Sequence, residues 1–315
     1  MDVEKGMTAT AFADRCRGAI WGQFIGDAAC RATVKAFEEP AQGVKVDVRH
    51  PGELSPNGEA ALLLLQSVAE LGYFSAPDFG PRFVAYFSAE GYRGKLDQAA
   101  RGTINNYLTF AAHRRSSSYH YQGGADDDGP STLTRLAPVV VNRSLEGSLL
   151  KVVEIATRVC QDNQRAVAYA KCHALIMRDL LNGKEFGEAV KGAAKAVSGE
   201  GEVGREIAAA IEAVFSRLDR PVREMTAQFG TGSPLRQSFP AALHCALRNQ
   251  NDFRMAIEET SQAGGDATAR GAMAGAWLGA LLGLQGIPAG WAGMIHGKDG
   301  IGSCIEKVIA TAIKP

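Results

Sequence analysis

A chain of 315 residues, 46% hydrophobic and 22% charged, has the balance of a globular protein, which excludes disordered, collagenous and disulfide-scaffold classes. Lys plus Arg and Asp plus Glu are both 34, so the formal charge is zero and no global field draws a nucleic-acid backbone or an anionic membrane. Thirty-six glycines against 7% aromatics imply that close backbone approach does part of the packing usually left to large side chains.

Met1 to Thr10 is polar, mixed in charge and followed by no continuous apolar core, so it does not read as a secretory leader. Helical periodicity follows almost everywhere, most clearly over 11–29, 58–71, 78–89, 95–113, 145–159, 164–182, 202–218, 238–249, 253–262, 267–285 and 301–313. Only Val44, Val46 and Val48 alternate as a strand would, beside Gly43 and Pro51, which makes at best an edge strand or an extended loop. The most irregular stretch, Arg114 to Ser131, carries Ser116 to Ser118, then Tyr119, His120, Tyr121, Gly123, Gly124 and Asp126 to Asp128. Gly18, Gly22 and Gly26, and again Gly271, Gly275, Gly279 and Gly283, recur every fourth residue and leave a smooth groove on one helix face. Each interior glycine costs about 1 kcal/mol of helix propensity, so the spacing predicts two backbones crossing at short distance before it predicts a ligand contact. The longest small-apolar run, Gly271 to Leu284, falls short of the roughly 20 residues of a membrane span. Six scattered cysteines with no CxxC read as reduced thiols, and His173 and His244 on apolar segments read as core or interface residues. The expectation is an all-α, single compact multi-helical domain over residues 1–315, cytoplasmic, binding neither nucleic acid nor membrane.

Chemistry begins at Gly264-Gly265-Asp266, which places an acid at the entry to a small-residue helix. Asp266 is either an N-cap or, with the glycines allowing close approach, a contact for a cation or a ribose hydroxyl. This segment, running on to Gly283-Leu284-Gln285-Gly286-Ile287-Pro288 and Trp291, resembles the C-terminal signature of the ADP-ribosylglycohydrolase family. Gly18-Ala19-Ile20-Trp21-Gly22 with Gly26-Asp27-Ala28 is similar to its opening helix, and Arg135-Leu136-Ala137-Pro138 to its central Arg-x-x-Pro element. Gly58-Glu59, Gly91-Tyr92 with Leu96-Asp97, and Ser238-Phe239-Pro240 look like a divergent branch that includes selenoprotein J and the jellyfish J-crystallins.

The resemblance implies an all-helical domain with a dinuclear magnesium site that cleaves N- or O-glycosidic bonds of ADP-ribose. The family draws its metal ligands from an early Thr-Asp-Asp-Thr and a late Gly-Gly-Asp-x-Asp-Thr. Here the early element aligns with Ser55-Pro56-Asn57-Gly58, and in the late one Asp266 is kept while Thr268 and Ala269 replace the second Asp and the Thr. Cys160 stands where a histidine often follows the central helix. One carboxylate and a few neutral oxygens hold a single Mg2+ poorly and two hardly at all, so at most one weakly held ion is expected, near Asp266.

Other acids are Glu59 at a helix start, Asp27, and the Asp126, Asp127 and Asp128 cluster, which is otherwise a solvated turn. If Glu59 and Asp266 converge with one of these, one carboxylate acts as general base and another supports an oxocarbenium-like transition state. Tyr119 and Tyr121 beside Gly123 and Gly124 read as a stacking loop for adenine or nicotinamide, or as an ordinary exposed loop. Arg135 reads as a phosphate contact or a structural ion pair. The site is expected where the Glu59 helix start, the Asp126–Asp128 loop and the Gly264, Gly265, Asp266 and Thr268 segment meet, its acids lacking evident basic partners in sequence. The reading is a divergent hydrolase of an ADP-ribosylated substrate, with a silent ADP-ribose binder or a crystallin-like structural protein as alternatives.

Overall fold

The computed structural model describes residues 8–31, 52–113 and 119–313. The extended segment expected at Val44 to Val48 and the serines 116–118 lie outside them. Fourteen α-helices are found among the described residues. They are α1 (Ala9–Arg31), α2 (Pro56–Leu71), α3 (Ala76–Phe87), α4 (Gln98–Ala112), α5 (Ala137–Arg143), α6 (Leu149–Arg158) and α7 (Gln164–Leu181). The chain continues with α8 (Phe186–Val197), α9 (Gly201–Phe215), α10 (Val222–Phe229), α11 (Leu235–Arg248), α12 (Phe253–Gln262), α13 (Ala267–Leu282) and α14 (Lys298–Ala312). The described residues contain no strand, only an isolated parallel bridge between Ala125 and Gln161. None of their helices is long and apolar enough to cross a membrane.

Helix entries follow side-chain chemistry. Ser55 caps α2 by accepting from Asn57 N and Gly58 N, ahead of Pro56 at the first helical position. Asp97, Asn163, Asp252 and Asp266 cap α4, α7, α12 and α13 in the same way. Gly72 ends α2 in the left-handed region at φ 79° and returns its N–H to Val68 O.

Helices α1 and α13 lie in the middle and are buried on nearly every face. The two glycine stripes meet each other, antiparallel: Gly18 faces Gly279, Gly22 faces Gly275 and Gly26 faces Gly271. A Cβ at Gly22 would stand 2.8 Å from the Gly275 carbonyl carbon, and one at Gly275 2.8 Å from that of Gly22. Backbone therefore rests on backbone, with carbonyl oxygens against Cα–H groups. Helices α7, α11 and α12 pack against α13, while α2, α5, α12 and α14 pack against α1. Buried apolar side chains from Phe12 to Ala312 join in one core cluster. His173 is fully enclosed in it with its ring 5.0 Å from that of Trp277, and burial pulls its pKa down to about 3. His244 is also buried and bonds Arg217 O at 2.9 Å. All six cysteines are free.

Helices α5, α8 and α10 were not among the expected segments, for different reasons. The α5 segment holds the run Val139-Val140-Val141, whose β-branching opposes helix, and its burial on all sides overrides that preference. In α8, Gly187 and Gly192 interrupt an otherwise amphipathic pattern of Phe186, Ala189, Val190, Ala193 and Val197. Helix α10 is only eight residues long, with three of them buried.

Candidate functional site

The Gly26–Gly271 contact brings the ends of α1 and α13 together, and with them Asp27 and Asp266. Asp27, 1% exposed, accepts from Ser55 N at 2.8 Å and from Ser55 Oγ at 2.5 Å. The same Oγ caps α2, so one carboxylate fixes the α2 entry. Gly58 lies flush on Asp27, where an added Cβ would stand 2.9 Å from the carboxyl carbon. Burial pushes the Asp27 carboxyl up to about 6 and the Asp266 charge adds to the rise, while the Ser55 hydrogen bonds and Arg31 oppose it.

Asp266 is half-buried at the head of α13. It accepts from Ala269 N at 3.3 Å and from Ser233 Oγ at 2.7 Å, and its own N–H donates to Thr231 O at 3.0 Å. Both readings of this residue are thereby compatible: it caps the helix and also presents a carboxylate at the surface. Thr268 sits half-buried in the first turn of α13. Gly264 and Gly265 adopt φ of +76° and +64°, and a Cβ at Gly265 would fall 2.6 Å from Thr231 Cβ. The 231–235 segment reaches the acidic loop, with Leu235 N donating to Asp128 O at 2.8 Å. Residues 231–235, which sequence reasoning had not singled out, thus join the Asp126–Asp128 loop to the Asp266 turn.

The acids are not left without partners, contrary to expectation. Asp126 accepts from Asn163 Nδ2 at 2.6 Å, and Asp127 from Gly129 N at 3.0 Å and Gln161 Nε2 at 2.9 Å. Asp128 pairs with Arg165 at 3.2 Å, which also holds Glu206 at 3.1 Å. Burial raises the Asp127 carboxyl, and the neighbouring Asp97 and Asp128 charges add to the rise. Glu59 accepts from Tyr92 Oη at 2.6 Å, so its carboxylate is held by the loop after α3. The first N–H groups of α2 and α13 are in part taken by Ser55 and Asp266 themselves.

Tyr119 and Tyr121 form an aromatic cluster with Tyr107 and Phe110. Tyr121 stacks on Tyr107 at 5.8 Å and 16°, and Tyr119 meets Tyr121 edge-on at 4.7 Å. Tyr121 is buried with its ring over Gly80, so its faces are spent on packing; Tyr119 stays half-exposed. Gly123 stands open, whereas Gly124 is pinned, its N–H bonded to Arg158 O at 3.0 Å and its Cα pressed on the Cys160–Gln161 peptide. Gly124 serves close approach and not loop freedom.

Arg135 is 1% exposed and donates to Ser131 O at 2.9 Å and Thr132 Oγ1 at 3.2 Å beneath the rings of Phe79 and Phe83. It borders a cavity of about 10 Å3 shared with Asn57, Asp97, Ser131 and Cys160. Its burial and its bonds to Ser131 and Thr132 give Arg135 structural work in the fold.

Among the described residues no group of three or more His, Cys, Asp or Glu converges as a metal's ligands would. Pro56, Asn57 and Thr268 bring no charge, and both remaining central carboxylates already accept from protein donors. Two Mg2+ ions, which demand near-octahedral oxygen shells and charge neutralisation, do not fit this donor set. Asp27 was among the acids that could join Glu59 and Asp266, although the site was expected at other segments; an acid in the midst of the small-residue run of α1 was the signal for it. Ser233 and Arg270 gave none.

The family described as ADP-ribosylglycohydrolase matches residues 8–314 of the chain. Crystallin J1B of Tripedalia cystophora is 26% identical over 316 residues, spanning 90% of this chain and 93% of the crystallin. Crystallin J1A of the same animal is 24% identical over 310 residues, with the same shares. A solved structure described as an ADP-ribosylglycohydrolase-related protein complex superimposes with a TM-score of 0.69 at 22% identity, over 96% of this chain and 100% of that one. That likeness speaks for the fold.

Proposed function

This chain belongs to the ADP-ribosylglycohydrolase family, and on that premise we propose that it binds the ribosyl part of an ADP-ribosyl group without a metal pair and without the family's two-metal hydrolysis. The observation that carries the reading is the state of the two central carboxylates, bonded to Ser55 and to Ser233 and the α13 N-terminus, Asp266 being the one acid kept from the family's late metal motif. An aspartate with a free lone pair, beside the hydroxyl of Ser233, matches the hydroxyls of a ribose, which offer donors to carboxylates. On this reading Glu59, Asp126 and Asp127 are the further acceptors offered to the ligand. The J-crystallin relatives accord with a family member that does not turn over substrate.

The decisive measurement is a calorimetric titration of ADP-ribose, with Mg2+ and with EDTA. Equal affinity in both is expected, and Asp266→Asn should lose about tenfold or more while keeping its fold, since Asn also caps helices. Absence of binding in wild type removes this reading and leaves a crystallin-like structural role. One observation favours hydrolysis as a second reading: two carboxylates, Asp27 and Asp266, lie within electrostatic reach of each other, and catalysis by acid and base requires two such groups. In that case the protein releases ADP-ribose from an ADP-ribosylated peptide in EDTA, and both Asp266→Asn and Glu59→Gln suppress the release more than the binding.

A further inference from the structure

Arg270 is unexplained by either the fold or the ligand reading. It lies in the first turns of α13, 1% exposed, and its hydrogen-bond partners are two backbone carbonyls, not a carboxylate. Nη1 donates to Thr231 O at 3.3 Å, Nη2 donates to Gly264 O, and Nε–H has no partner. Burial pulls the guanidinium down and the Asp266 charge opposes this. For stability alone the choice is poor, because an apolar side chain of similar volume avoids desolvating a cation and leaves no donor unpaired.

The two carbonyls share a location. Thr231 opens the loop that lays Ser233 Oγ on Asp266 at 2.7 Å and ends with Leu235 N on Asp128 O at 2.8 Å. Gly264 opens the turn that carries Asp266. Thr231 O accepts from Asp266 N as well, so one oxygen gathers the arginine and the aspartate backbone. Both segments are irregular, and Thr231, Ser233, Gly264 and Gly265 are all exposed, so neither has much burial of its own to hold it. A planar fork with several fixed donors bridges two carbonyls where an ammonium on a flexible stem cannot do so equally.

We propose that Arg270 is the positioning residue of this site: its guanidinium staples the 231–233 loop to the Gly264-Gly265-Asp266 turn and gives Asp266 and Ser233 a fixed relation that needs no metal ion. The significance for ligand binding rests on the reading above; the staple stands on its own geometry. Hydrogen exchange by mass spectrometry on the full chain tests it without any ligand, in wild type, Arg270→Lys and Arg270→Met. The lysine variant is decisive, since it keeps charge and approximate length and loses the fork. Expected is exchange about tenfold faster, the worth of one or two lost hydrogen bonds, confined to the segments 229–236 and 262–269, with α1 and the rest of α13 unchanged. The methionine variant should show the same localised pattern at least as strongly, and Mg2+ or EDTA should alter none of the three proteins.

Unchanged exchange in the lysine variant, acceleration spread evenly over the core, or failure of that variant to fold would each make Arg270 a packing residue and overturn the proposal. A null ADP-ribose titration with the localised exchange pattern intact removes the ligand reading alone.

Discussion

Replacing Gly275 by alanine sets two physical effects of opposite sign against each other. Alanine is the better helix former by about 1 kcal/mol, so on an unencumbered helix the substitution stabilises. Against α1, however, the new Cβ would stand 2.8 Å from the carbonyl carbon of Gly22 and nearer still to its oxygen. Ordinary contact between such atoms is about 3.5 to 4 Å, so the helices must part by about 1 Å. No rotamer change relieves the clash, because both surfaces are backbone. Overpacking of this kind costs about 1 to 3 kcal/mol, and rigidity places this site at the upper end. The net expectation is a loss of about 2 kcal/mol, or a melting temperature lower by about 3 °C for a chain of 315 residues. Scanning calorimetry of wild type and Gly275→Ala measures it, with Gly300→Ala as control. Gly300 lies in the first turn of α14 with nothing within 4 Å of its would-be Cβ, and alanine there should be neutral or stabilising. If Gly275→Ala melts at or above wild type, the backbone-on-backbone crossing is refuted.

Asp27 gives a pH test: its folded value, about 6, lies above the ordinary 3.8, so its contribution to stability is complete below the ordinary value and lost as pH rises through about 6. Between about pH 4 and 7 wild type should lose about 2 kcal/mol relative to Asp27→Asn, with a slope that approaches about 1.4 kcal/mol per pH unit near pH 5, and a difference that stays flat in urea titrations contradicts the assignment. Gly58→Ala should destabilise by about 1 to 3 kcal/mol by pressing on the Asp27 carboxyl, and the cost should shrink in an Asp27→Ala background; additivity of the two in a double-mutant cycle would falsify that contact. Millimolar Mg2+ and EDTA should leave the melting temperature the same, since a site with this donor set gains no linkage from the ion, and a dose-dependent rise in scanning fluorimetry would show that the donor set has been misjudged.

Sequence alone determined what is encoded within a turn or two of chain. Apolar period placed most helices, Asp266 was legible as a cap from Gly-Gly-Asp before an alanine-rich run, and glycine every fourth residue announced a close crossing because nothing else repays that loss of propensity. The missing acids at Pro56, Asn57 and Thr268 were equally plain, since residue type at a motif position requires no coordinates. Tertiary structure decided the partners. Nothing local says that Gly18 meets Gly279, that Arg165 comes from α7 to Asp128, or that the rings of Tyr107, Tyr119 and Tyr121 satisfy one another. Burial of Asp27 likewise follows from α2 and α13 closing over α1, and its raised carboxyl from that burial. Arg270 shows the division most clearly: in sequence it is one charge on a helix of small residues, and only when the Thr231 loop, 39 residues earlier in the chain, folds against α13 does its carbonyl join that of the neighbouring Gly264 at the guanidinium. Backbone preference is set by a residue and its near neighbours, whereas the environment that assigns a charge its role is made by chain segments far away in sequence.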